Sequence, residues 1–213
     1  MTACNALLRP EAGYLFTDTA FYDTAGNVLG YGDKVVYSDE HTMAIACVGA
    51  VAPNRLTPLI HALATGQETI TQAEMIQALP GLVRVLHAEA LKLDGYRADP
   101  HLMLVAMYWD FTAGEPRAFA VSSGGKQPMA GPFVLAEITG YSTPEVPAGL
   151  PRGSGPLDPS LDPRTDAVTI LEAQRAVRLP DGTGMVGGEG QMFVITPNGI
   201  ERQTIVRWPE NAA

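Results

Sequence analysis

Apolar and polar positions alternate in short runs over the first fifty residues. Cys4 to Leu8 and Gly13 to Thr17 are two such runs, split by Arg9-Pro10-Glu11-Ala12, which predicts a strand, a turn and a second strand. Phe21 to Gly26 ends in the turn-forming Ala-Gly-Asn, and Lys34 to Ser38 and Thr42 to Val48 flank a polar Asp39-Glu40-His41 turn. The chain therefore opens as sheet. After Pro53 the period changes: Leu56, Leu59, Ile60 and Leu63 share one helical face and Gly66 supplies a stop. Thr71 caps a second helical run through Ile76, Leu79, Val83, Leu86, Ala90 and Leu93, closed by Asp94-Gly95, in which Pro80-Gly81 predicts a kink or a break.

His101 to Trp109, Arg117 to Ser122 and Phe133 to Thr139 are again strand-like. Six of the 17 prolines then fall between Pro144 and Pro163, which excludes a continuous helix or central strand and predicts an extended excursion. Asp166 caps a helix through Val177, and Gln191 to Thr196 and Ile200 to Trp208 flank Pro197-Asn198-Gly199, a hairpin signal. Strands, helices, strands, helix, strands predict one α+β domain over residues 1–213, arranged as a four-layer αββα sandwich of two antiparallel sheets flanked by helices. An ordinary α+β domain with a single sheet gives a similar string.

Composition narrows the setting. Charged residues are only 17% and hydrophobic ones 46%, which suits burial of surface against sister subunits. Net charge is −9 with Lys and Arg scattered, so nucleic acid and anionic membranes are disfavoured as partners. Cys4 and Cys47 are the only cysteines and neither has metal-ligand spacing, which predicts a reducing cytoplasm. No run approaches the ~18 apolar residues of a membrane span, and the first residues lack the basic and apolar regions of a secretion signal. His41, His61, His87 and His101 pair with no carboxylate or cysteine at ligand spacing, so neither a metal nor another cofactor is expected. Gly182 to Gly187 matches G-x-G-x-x-G formally, but a helix precedes it and a strand follows, the reverse of a dinucleotide site.

The chemistry lies at the start of the chain. Thr2 follows Met1, and a small second residue is compatible with removal of that Met. The amine so freed has a reference pKa of about 7.7–8.0, so it takes the proton of its own hydroxyl, and one residue supplies both nucleophile and base. Asp18 lies sixteen positions after Thr2, and Lys34 sixteen after Asp18, each at the edge of a predicted strand. A lysine cation beside Thr2 lowers the pKa of its amine and hydroxyl, and an aspartate holds that lysine in place. Only three lysines exist in the chain, Lys34, Lys92 and Lys126. A structural Asp18–Lys34 ion pair is the plainer alternative.

Thr2, the Thr-Asp of GYLFTDTAFYDTAG and the lysine of GYGDKVV together resemble the catalytic β-type subunits of the proteasome and the HslV-like peptidases, N-terminal-nucleophile hydrolases. The likeness continues into MAIACVGAVAP, where Gly49 is similar to the glycine whose N–H forms the oxyanion hole. It implies a threonine-type peptidase that assembles with itself into stacked rings, in some relatives beside a separate unfolding ATPase, with Phe21 and Cys47 lining the substrate pocket. A family serine corresponds to Ser142 or to Ser154, with Ser142 preferred because a strand precedes it. The chain departs from the pattern at Thr183 to Gly188, where Val186 stands in place of a serine and Asp181, from a shifted turn, is the candidate to replace the family's missing carboxylate. Those departures keep two alternatives open: a non-catalytic structural subunit, and an amidohydrolase acting on small amides.

Overall fold

The structure, a computed structural model, describes residues 2–23, 25–49, 70–92, 101–124, 131–144, 160–178, 182 and 184–209. The opening hairpin forms as its alternation predicts: β1 (Cys4–Arg9) pairs antiparallel with β2 (Ala12–Asp18) in a register that sets Cys4 opposite Thr17. A small ribbon follows, β3 (Ala20–Tyr22) with β4 (Val28–Tyr31). Next come β5 (Val35–Ser38), β6 (Met43–Gly49), β7 (Leu102–Asp110), β8 (Glu115–Ser122) and the short β9 (Ala136–Ile138), paired in that order in one antiparallel sheet. β10 (Gly140–Thr143), β11 (Glu189–Thr196) and β12 (Gly199–Arg207) join the opening hairpin in the order β10-β1-β2-β11-β12.

The period-2 pattern assigns the faces. Cys4, Ala6, Leu15, Phe193 and Ile195 of the first sheet meet Val35, Ala44, Ala46, Val105 and Ala118 of the second in a core between the two five-stranded sheets. Helix α1 (Gln72–Ala90) puts Met75, Leu79, Val83 and Leu86 on the outer face of β6 and β7, against Ile45, Cys47 and Leu104. Thr71 closes its N-terminus as a capping box, accepting from Glu74 N while the Glu74 carboxylate accepts from Thr71 N. Pro80 lies inside this helix without dividing it, its predicted break overridden by the buried stripe on either side. Helix α2 (Pro163–Ala176) packs Ala167, Ile170 and Leu171 against Phe16, Met192 and Val194. It begins one turn earlier than expected, because Asp162 accepts from Arg164 N and Pro163 fits the first helical position.

The expected four-layer αββα sandwich is corrected. The described chain is mostly strand, in three antiparallel sheets, and carries two helices among the described residues, a single one against each large sheet rather than flanking helical layers. The expected helical runs after Thr71 and up to Val177 both form, but strands account for most of the described chain, and the segment from Ala20 to Tyr31 forms a separate two-stranded ribbon rather than part of either large sheet. The expected helix through Leu56, Leu59, Ile60 and Leu63, residues 145–159 of the proline-rich stretch, and Asp181 and Thr183 lie outside the described residues.

Candidate active site

β1, β2 and the start of β5 converge at one end of the gap between the large sheets. Asp18, the last residue of β2, is 0% exposed, and Lys34, immediately before β5, is 2% exposed. The Lys34 ammonium donates to Asp18 Oδ1 at 2.7 Å. The same oxygen accepts from the backbone N–H of Ala3 at 2.9 Å, and Oδ2 accepts from Gly187 N at 3.1 Å. Since Ala3 N is bonded to the carbonyl carbon of Thr2, a single carboxylate oxygen ties the peptide of Thr2 and the ammonium of Lys34 together. Thr2 is 6% exposed.

The segment after α2 completes the cradle. Gly187 donates its N–H to Asp18 and accepts through its carbonyl from Thr19 N at 3.3 Å and Ala20 N at 3.1 Å. At Gly188, with φ +85°, a side chain is excluded twice over: a Cβ there would stand 2.3 Å from Thr19 Oγ1 and 3.1 Å from Ala20 N. The Thr19 hydroxyl is held in that spot by Glu189 N, which donates to it at 2.8 Å.

Burial dominates the electrostatics. It holds the Lys34 ammonium below the ordinary lysine range, against the opposing attraction of Asp18. It pushes the Asp18 carboxyl up, against the opposing pull of Lys34 and of the Gly187 and Ala3 N–H groups. The two therefore titrate as a pair sharing one environment. A buried pair of this kind adds little net stability, so its presence at a strand junction marks a candidate functional centre. Lys34 also lies over the Phe21 ring, 5.3 Å from its centroid, a cation–π contact that fixes the ammonium from a second side.

Gly49 ends β6. The Cys47 N–H donates to Lys34 O at 3.0 Å, and antiparallel alternation sends the Gly49 N–H, two residues on, to that same side past the end of β5. Its φ of +104° and a would-be Cβ position 2.0 Å from His101 O demand glycine. Cys47 packs in the cluster beneath α1, where burial raises its thiol pKa, and burial pushes the Cys4 thiol up to about 12, so both remain protonated.

Ser142 is placed differently. Its hydroxyl donates to Asn5 Oδ1 at 2.7 Å and accepts from Gln174 Nε2 at 3.1 Å. The Asn5 and Gln174 amides bond each other reciprocally, at 2.9 Å in both directions, and Gln174 Nε2 also donates to Pro144 O at 3.0 Å. Ser142 is thus a member of a closed amide network on the α2 side of the sheet. Val186, where the resemblance implies a serine, is buried among the α2 cluster. Sequence reasoning missed Ala3, Gly187, Asn5 and Gln174; the first two act through backbone N–H groups, which have no side-chain signature. No family model matches the chain, and no curated protein matches it.

Proposed function

We propose that the chain is a threonine-type amide hydrolase related to the proteasome β-type and HslV-like peptidases, with Thr2 as nucleophile once Met1 is removed. The observation that carries it is the shared oxygen: Asp18 Oδ1 accepts from both Lys34 Nζ and Ala3 N. Thr2 Oγ attacks a substrate carbonyl while the Thr2 amine takes its proton; the Lys34 charge keeps that amine and hydroxyl easier to deprotonate, and Asp18 holds Lys34. The Gly49 N–H stabilises the oxyanion of the tetrahedral intermediate. The amine then protonates the leaving nitrogen, and water releases the acyl group from Thr2. Peptides are the proposed substrate, with Phe21, whose ring lies beside Lys34, toward the pocket, and with Cys47, packed beneath α1, behind it. A self-assembled ring is the proposed working form, with a separate unfolding ATPase as a further partner.

An electrophile that requires both the amine and the hydroxyl of an N-terminal threonine tests this. The proposal expects one adduct, on the Thr2 peptide, and its loss in Lys34→Met; a protein that folds and takes no adduct refutes it. Turnover of small amides with peptides untouched redirects the same machinery to a small-amide substrate.

A second reading, a non-catalytic structural subunit, draws on specific features: Val186 is buried and Ser142 is engaged by Asn5 and Gln174. It predicts that Met1 is retained, leaving Thr2 without a free amine.

A further inference from the structure

Beside the Asp18 cradle, two polar atoms are buried without a hydrogen-bond partner among the described residues: Thr17 Oγ1 and Gln191 Oε1. Thr17 is 0% exposed and Gln191 4%. The two residues face each other in register across β2 and β11, so their side chains rise from the same face of the sheet. That face is the one toward the second sheet, because Leu15 and Phe193, two residues away on each strand, lie in the core between the sheets.

The chemistry of Gln191 is directional. Its Nε2 donates to Asp33 Oδ1 at 3.1 Å, and Arg202 bonds the same carboxylate oxygen from outside. Turning the amide over would set its carbonyl against the Asp33 carboxylate, so the oxygen is forced to face inward. Thr17 offers a hydroxyl that both donates and accepts, and Cys4, its register partner on β1, adds a weak sulfur acceptor to the same row.

We propose that Thr17 Oγ1 and Gln191 Oε1 form a built site for one resident water molecule, closed toward solvent by the Asp33–Arg202 pair. The water accepts from the Thr17 hydroxyl and donates to Gln191 Oε1, which supplies the two or more polar partners that a buried water needs. It stitches the residue before Asp18 to β11, just beyond the Gly187 donor, and it does not depend on Thr2 being a nucleophile.

Diffraction from the intact protein at a resolution that shows ordered water is the first test. A peak within hydrogen-bond distance of both atoms is expected, and a dry contact between them overturns the proposal. Thr17→Val provides the second. A bridged site loses its donor, and Tm falls by about 2–4 °C; Thr17→Val/Gln191→Met then falls by less than the sum of the two single changes. An unbridged hydroxyl predicts the opposite, an unchanged or higher Tm in Thr17→Val, because an unmet polar atom is removed. Should the variants not fold, the wild-type diffraction decides alone.

Discussion

Two polar clusters flank β1, and they are built on opposite principles. At the Asp18 corner, full charges are taken out of water at 0% and 2% exposure and held by one side chain and two backbone N–H groups. At the Ser142 corner every group is neutral, and Asn5, Gln174, Ser142 and the Pro144 carbonyl satisfy one another. The first arrangement shifts protonation equilibria and leaves the fold little net benefit. The second shifts none and locks β1 to α2 and β10. A serine can therefore sit in a site-like sequence position and still serve only as mortar, whereas a lysine at this depth has to be explained by what it does to its neighbours.

Thr2→Ala should break the comparison most sharply. It removes the proposed nucleophile and should lower turnover by on the order of 10³-fold or more, to background, while Ser142→Ala should leave turnover within a few-fold; a peptide-hydrolysis assay on both variants checks this. Asp18→Ala comes next. It leaves the Lys34 ammonium buried and unpaired, and chemical denaturation should register a loss of about 3–5 kcal/mol. Gln174→Leu strands the Asn5 amide and should cost about 1–3 kcal/mol by the same measurement, with the folded protein still expected to take the electrophile at Thr2.

The smallest expected effect is one of position on the pH axis. Activity should rise as the Thr2 amine becomes neutral, near its reference pKa of about 7.7–8.0, and fall as Lys34 loses its proton. Because burial lowers the Lys34 pKa from its ordinary 10.5, the falling limb should lie below that value. Ser142→Ala should leave both limbs where they are, since the amide network carries no titrating group. A pH–rate profile of the two proteins measures it.

How much of this was legible in the residues depends on what kind of group carries each part. The Asp18–Lys34 pairing was legible because one of only three lysines and an aspartate fell at strand edges, sixteen positions apart and with the aspartate sixteen after Thr2, and the fold then set them 2.7 Å apart. The strands were legible from alternation, most clearly the β11–β12 hairpin around Asn198-Gly199. The layering was not, because periodicity reports which face of an element is apolar and not how many elements share that face. Pro80 shows the same limit: a local breaker was outweighed by the packing of Leu79, Leu82 and Val83 on the sheet. The amide network around Ser142 was not legible, because its partners, Asn5 and Gln174, are distant in sequence and meet only once α2 is folded against β1. The Gly187 and Ala3 donors are main-chain groups, which every residue possesses, so only coordinates single them out.

The central claim is that the residue tied to Lys34 through Asp18 carries an unblocked amine. Peptide mapping of the purified native protein by mass spectrometry reads it directly. A first peptide beginning at Thr2 is the predicted result; a first peptide still carrying Met1 would contradict the account and hand the fold to the non-catalytic reading.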